Sequence, residues 1–439
     1  MTQTVSRSSR VMTPSETAYR GNCTTMVGSV YGTGKVEADA LRRAFDALRA
    51  EHPTLAGFME PAVGGYELVV PSHPAPGVVR VREASPAQPP SGREAVVDPA
   101  VELAAIDLAA EAGEPERFCL SLCVYHGAYD GHAITTVLIP RLLEQYSAIV
   151  LTGEPIAVEP QPMLESCETV LTRRGVRPTN EVSGFEEALR SAPVFPVTEV
   201  QSDERPRQVR LTFSAEETAR LRAVGKARGF SVSAVVTAVV IDAMHEFLGR
   251  PEELVVPVLS VVAIRDRLDP PAPATEGTVM LGTGGAVVTA TATSDPLELG
   301  GQVVDRLVRE LRDGVIQQSC LHLPRLLGEL AAPPPEAGPA SKFLVGISNV
   351  GVVFDYPNPP GLVIEDFQGV SANLAAQDFG RPELGVATKH NYWFMALTYG
   401  GRLSLAFKVR EAGSAPDHEL PLVRALRSAA DRILGSAED

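Results

Sequence analysis

The chain has 439 residues, 44% hydrophobic and 21% charged, a globular balance at a length where one core stops growing and two domains are expected. A formal charge of −15 argues against nucleic acid as a partner, because phosphate recognition needs a basic stripe. No run of about 18 uncharged apolar residues suggests a membrane span, the N-terminal stretch lacks the apolar centre of a secretory signal, and five cysteines without a Cys-x-x-Cys pair suit a reduced, cytoplasmic protein.

Taken in chain order, the first half opens on an apolar stretch, "CTTMVGSVYGTG" (23–34). In "VEADALRRAFDALRAEHP" (36–53), Ala38, Leu41, Phe45 and Leu48 step at three and four, predicting an amphipathic helix stopped by Pro53. "YELVV" and "VVRVRE" read as strands, and "SPAQPPSGRE" (85–94) as a loop. "RFCLSLCVYH" (117–126) is the best strand of this half. Phe118, Leu120, Leu122, Val124 and His126 take one face, and Cys119, Ser121, Cys123 and Tyr125 the other. After "GAYDG" a helix follows, with Ile134, Val137, Leu138, Leu142 and Tyr146 on its stripe and Pro140 as a kink.

The polar, proline-bearing stretch 196–208 is the expected linker between domains 1–195 and 209–439. Beyond it come a strand, "QVRLTF", and a helix whose Ser214 and Glu217 form a capping box. "SVSAVVTAVVIDAMHEFLG" is a buried helix, and "ELVVPVLSVVAI" and "GTVMLGTGGAVVTAT" are strands. "LELGGQVVDRLVRELRDGV" is helical and 331–340 is a loop. "KFLVGISNVGVVF" and "GLVIEDF" are strands, "NYWFMALTY", "GG" and "RLSLAFKV" form a hairpin with Trp393 in its core, and "PLVRALRSAADRIL" closes the chain as a helix. Both halves mix strands and helices, so the expected class is α+β.

Two of the eight histidines stand in "VYHGAYDGHA" (124–133), and the residues alone allow three readings. His126, at the end of a strand, suits a general base, since imidazole titrates near neutrality. His126, Asp130 and His132 together suggest a metal clip, although H-x3-D-x-H matches no usual zinc spacing. The third reading is structural: a satisfied histidine, with Asp130 capping the helix or pairing with a buried arginine. No G-x-S-x-G elbow supplies a serine nucleophile.

Strand, HxxxDG and helix, in the first third of a chain of this size, resemble the condensation-domain superfamily of chloramphenicol-acetyltransferase-like acyltransferases. "ALRRAFDALRAEHPTL", "LTRRGVR", "APATEGTVMLG", "RDGVIQQSCLH" and "PPGLVIEDFQG" narrow the resemblance to the polyketide-associated acyltransferases, nearly end to end. The resemblance implies two similar subdomains in a V with a tunnel between them. It implies that His126 is the general base on a hydroxyl or amine acceptor, which attacks a thioester carried on the phosphopantetheine arm of an acyl carrier protein or of CoA. No further cofactor, no metal and no covalent acyl-enzyme are implied. Asp130 matches the structural aspartate, paired in the family with an arginine that by position is Arg265, with Arg267 close by. Gly131 matches the motif glycine, which leaves room for substrate and offers a backbone N–H to an oxyanion. Asn349, in "ISNVG", is a candidate substrate contact, a satisfied strand asparagine being the competing reading.

This chain departs from the pattern at two places. Tyr125 stands where many relatives carry a first histidine, and Val279 where close relatives have an asparagine. These keep open an alternative that retains the fold without the chemistry, a module that docks a carrier protein. Carrier proteins are acidic, so docking needs a local basic patch, for which 172–177 and 265–267 are the candidates. His322 and His132 read as packed and peripheral. A cytoplasmic monomer acting on small molecules, without nucleic acid or a membrane span, is the expectation.

Overall fold

The computed structural model describes residues 7–84, 95–111, 116–179, 183–197, 207–322, 340–374, 389–409 and 416–435. The chain divides into two compact units, and neither is one continuous stretch. The first joins Met1–Gly175 to Asp269–Met280 and Val353–Ala375, and the second holds Val176–Leu268, Leu281–Val352 and Ala376–Asp439. The expected division at 196–208 therefore does not separate the units, and most of that linker lies outside the described residues, as do the loop at 85–94 and nearly all of 331–340.

In the first unit the strands are β1 (Arg7–Val11), β2 (Thr25–Thr33), β3 (Phe58–Ala62), β4 (Gly65–Pro71), β5 (Val78–Glu83), β6 (Ala104–Glu111) and β7 (Arg117–Tyr125). β1, β4 and β3 form a small antiparallel sheet. The main sheet takes its edge strand from far along the chain: Val363–Ala372 lies antiparallel to β2, followed by β7, β6 and β5. Helix α1 (Pro14–Thr17) precedes β2, and helix α2 (Ala38–Glu51) buries Leu41, Ala44, Phe45 and Leu48, close to the stripe expected from the sequence. After β7 the chain makes a short helix α3 (Gly131–Ala133), a π-turn (Ile134–Leu138) and helix α4 (Ile139–Thr152). Pro140 has no N–H to give to the carbonyl four residues back, and the Ile139 N–H reaches five back to Ile134, so the expected kink takes the form of a π-turn. This 22-residue run is long and apolar enough to cross a membrane, but half of its most apolar window is buried in the protein and it packs on α2 as a core helix.

The segment 269–280 belongs to the first unit for a readable reason. Arg173 lies 2.5 Å from Glu276 and 2.7 Å from Glu165, and Arg174 lies 2.6 Å from the other Glu276 oxygen. The Thr278 N–H donates to the Glu165 carbonyl at 2.9 Å. The strand expected over 277–291 accordingly begins only at Leu281.

In the second unit the main sheet runs Leu281–Thr291, Glu253–Ala263, Leu344–Val352, Asn391–Tyr399, Arg402–Val409 and Arg207–Thr212. Two of its pairings are parallel and the rest antiparallel. Helices Val232–Phe247 and Pro421–Gly435 supply Val236, Val240, Leu426 and Ile433 to a core shared with Val256, Val345, Phe394 and Leu405 of the strands. The hairpin turn is Gly400–Gly401, with φ of 54° and 74°, the left-handed pair that a two-residue type I′ connection requires. The capping box is present, with Ser214 Oγ accepting from the Glu217 N–H at 3.1 Å and the Glu217 carboxylate accepting from the Ser214 N–H at 2.7 Å. Trp393 corrects an expectation. It is 37% exposed and lies against its register partner Gly346, on the sheet face opposite Phe394. Alternation places a side chain on a face but does not say what covers that face.

Candidate active site

β7 ends at Tyr125, a helix begins at Gly131, and the five residues between them carry the motif. The His126 N–H donates to the Thr24 carbonyl at 2.9 Å, the last backbone tie before the chain turns, and the Ala128 N–H closes the turn on the Tyr125 carbonyl at 3.0 Å. His126 is partly exposed while the residues on either side of it are buried. Its Nδ1 lies 3.4 Å from the Tyr129 carbonyl oxygen. A carbonyl only accepts, so this contact is a hydrogen bond in the tautomer that carries the proton on Nδ1 and the lone pair on Nε2. Desolvation lowers the ring's pKa from the ordinary 6.5, opposed by the Tyr129 carbonyl and by the charge of Asp130. The ring is thus neutral near pH 7, with its basic nitrogen unprotonated.

Asp130 is 1% exposed and both of its oxygens are occupied. Oδ1 accepts from the Ala133 N–H at 2.9 Å, capping α3, and Oδ2 accepts from the Met280 N–H at 3.1 Å. The carboxylate therefore pins the returning segment 269–280 to the motif, a role that the N-cap reading foresaw only in part. Among the described residues no cluster of three or more His, Cys, Asp or Glu is arranged to hold a metal ion.

Gly131 has ordinary helical geometry, and a Cβ there would meet only the Met26 methyl at 3.6 Å. Packing does not require the glycine. Arg265 is 1% exposed in the short helical turn Arg265–Arg267, whereas Arg267 is exposed, so the buried arginine of this pair is Arg265. Asn349 follows its structural reading. Its Nδ2 donates to Ser233 Oγ at 2.9 Å and its Oδ1 accepts from the Gly351 N–H at 2.9 Å, which braces the β-bulge at Asn349–Gly351. Both ends of the side chain thus make internal bonds, as the reading of a satisfied strand asparagine has it. His322 Nε2 meets Gln318 Oε1 at 3.2 Å, and the same oxygen takes the Thr179 N–H at 2.7 Å, so it too packs into structure. His132 sits partly exposed in the first turn of the helix.

Tyr125, the departure from the two-histidine pattern, is 0% exposed and donates its hydroxyl to the Glu16 carbonyl at 2.7 Å. Burial pushes its pKa up, so it stays a neutral donor. The candidate docking patches also change meaning. Arg173 and Arg174 pair with Glu165 and Glu276, while Arg177 is exposed, as are Asp266 and Arg267 of 265–267.

Residues 202–408 match the family profile for the C-terminal region of phthiocerol/phthiodiolone dimycocerosyl transferases. Over 351 residues, 76% of this chain and 79% of the relative, the sequence is 31% identical to the phthiocerol/phthiodiolone dimycocerosyl transferase of Mycobacterium tuberculosis. Among solved structures the chain is similar to polyketide synthase associated protein 5 from Mycobacterium tuberculosis, with a TM-score of 0.72, 27% identity and 97% of each chain covered. It is similar in fold to the first condensation domain of the CDA synthetase, with a TM-score of 0.63, 15% identity and coverage of 97% of this chain and 96% of that one. The α+β fold with two chloramphenicol-acetyltransferase-like subdomains thus extends along nearly the whole chain.

Proposed function

This chain belongs to the phthiocerol/phthiodiolone dimycocerosyl transferase family, and from that premise we propose that it moves an acyl group from a thioester to a hydroxyl, or to an amine, with His126 as general base. The donor is the phosphopantetheine thioester of an acyl carrier protein or of CoA. His126 Nε2 takes the acceptor's proton as its oxygen attacks the thioester carbonyl. The tetrahedral oxyanion would be stabilised by a backbone N–H, for which Gly131 at the helix start is the candidate. Collapse breaks the C–S bond and expels the thiolate, which receives the proton from the imidazolium, so the ring ends neutral and no acyl-enzyme forms.

One observation carries this reading. Nδ1 of a partly exposed imidazole faces a carbonyl, which leaves Nε2 as a lone-pair nitrogen on a ring kept neutral by desolvation. The competing reading, a docking module without chemistry, rested on Tyr125 and Val279. Tyr125 points its hydroxyl to Glu16, and two of the arginines that docking would use, Arg173 and Arg174, pair with Glu165 and Glu276. The test is intact-mass detection of acyl loss from a loaded carrier protein, and from acyl-CoA, offered a panel of alcohols and amines. Transfer that requires His126 is expected; equal turnover by His126→Ala would overturn the assignment of the base.

A further inference from the structure

The N-terminal segment grips the motif at three consecutive residues. Tyr125 donates to the Glu16 carbonyl at 2.7 Å. Gly127 lies so close to the same oxygen that a Cβ would stand 2.1 Å from it. Between them, the His126 N–H donates to the Thr24 carbonyl at 2.9 Å, and its ring stacks on Tyr19 with centroids 4.2 Å apart and planes 34° from parallel. The segment is itself fixed. The Glu16 carboxylate takes Arg10 at 2.5 and 2.9 Å and the Thr13 N–H at 2.8 Å. Glu168 holds Ser15 and Thr13 at 2.6 and 2.7 Å. The Thr24 N–H closes a turn on the Tyr19 carbonyl at 2.9 Å, with Cys23 in the left-handed region at φ 50°, a conformation that costs energy for a residue with a side chain and persists only where its surroundings hold it.

We propose that Tyr19 is a positioning residue for His126: residues 16–24 form a clamp, and the phenol ring, pressed on the imidazole face, holds the plane in which Nδ1 meets the Tyr129 carbonyl and Nε2 is aimed at the acceptor. The Nδ1 contact alone, at 3.4 Å, is too long to fix the ring. This inference rests on the acyl-transfer reading for its consequence and on the stack alone for its geometry, so the two are tested separately.

Wild type, Tyr19→Leu and Tyr19→Phe are compared with octanoyl-CoA as donor and octanol as acceptor, and the ring resonances of His126 are recorded by NMR in each. Tyr19→Leu is expected to lower kcat by about 10-fold or more, the scale on which misplacing a catalytic group acts, with the donor KM within about twofold of wild type. Tyr19→Phe should recover most of that loss. The His126 carbon-bound ring protons should sit upfield in wild type and Tyr19→Phe and return toward free-histidine positions in Tyr19→Leu. Wild-type kcat in Tyr19→Leu, or Tyr19→Phe as slow as Tyr19→Leu, overturns the positioning role. Should Tyr19→Leu fail to fold, the wild-type spectrum decides, since unshifted His126 protons refute the stack. If instead the upfield shifts are present and His126→Ala remains active, the stack stands and the base assignment falls.

Discussion

His126 and Asp130 are four residues apart in one loop and are treated in opposite ways. Every oxygen of Asp130 is taken by a backbone N–H, and the side chain is sealed from solvent. His126 has one long contact at Nδ1, an aromatic neighbour on its face and partial exposure. A side chain saturated with partners supports the fold, whereas a partly desolvated ring whose Nε2 has no partner among the described residues is placed to react. That contrast separates the brace from the proposed base more sharply than the motif pattern does.

The contrast breaks most visibly in the rate of His126→Ala. Transfer should fall by about 10²–10⁴-fold, the usual weight of a positioned base, with the melting temperature kept. A lowered melt would show that the imidazole supports the fold as Asp130 does.

Asp130→Asn reverses the effect. An amide has one carbonyl oxygen, so either the Ala133 or the Met280 N–H must face an NH2 group. A lost bond to a buried donor costs about 1–3 kcal/mol, read as a lower midpoint in denaturant. An unchanged midpoint would mean that the cap and the tie to Met280 do not hold the loop.

A pH profile sharpens the comparison further. The base must be neutral to act, and desolvation holds its pKa below the ordinary 6.5. Activity should therefore be flat near neutrality and fall only as pH drops through that lowered value. An acidic limb centred above 6.5 would contradict the environment described for the ring.

The smallest effect is expected at Gly131→Ala. Nothing crowds the new methyl, and alanine is favoured over glycine in a helix by up to about 1 kcal/mol. Stability should hold or rise slightly while transfer slows; a clearly lowered melt would show that the fold, and not the substrate, needs the glycine.

Much of this was readable in advance for local reasons. The α2 stripe, the Ser214 capping box, the Gly400–Gly401 hairpin and the strand–HxxxDG–helix order are all written within a few residues of one another. Tyr19 was missed because it lies in an irregular turn without periodicity. The nearest available signal was "TPSE" (13–16), whose Glu16 carboxylate does reach back to the Thr13 N–H. Asn349 was left open because a sequence shows a polar residue but not whether its hydrogen bonds are already made.

The sequence by itself determined the family, most of the helices and strands, and the candidate residue for the chemistry, since helix stripes, caps and a motif at a strand end are short-range patterns. Tertiary structure alone decided that Val363–Ala372 completes the first sheet, that Arg173 and Arg174 fasten a returning segment, and that Met280 hands its N–H to Asp130. Each of these joins residues 100 or more positions apart, and a hydrogen bond over that separation leaves no spacing in the chain to be read.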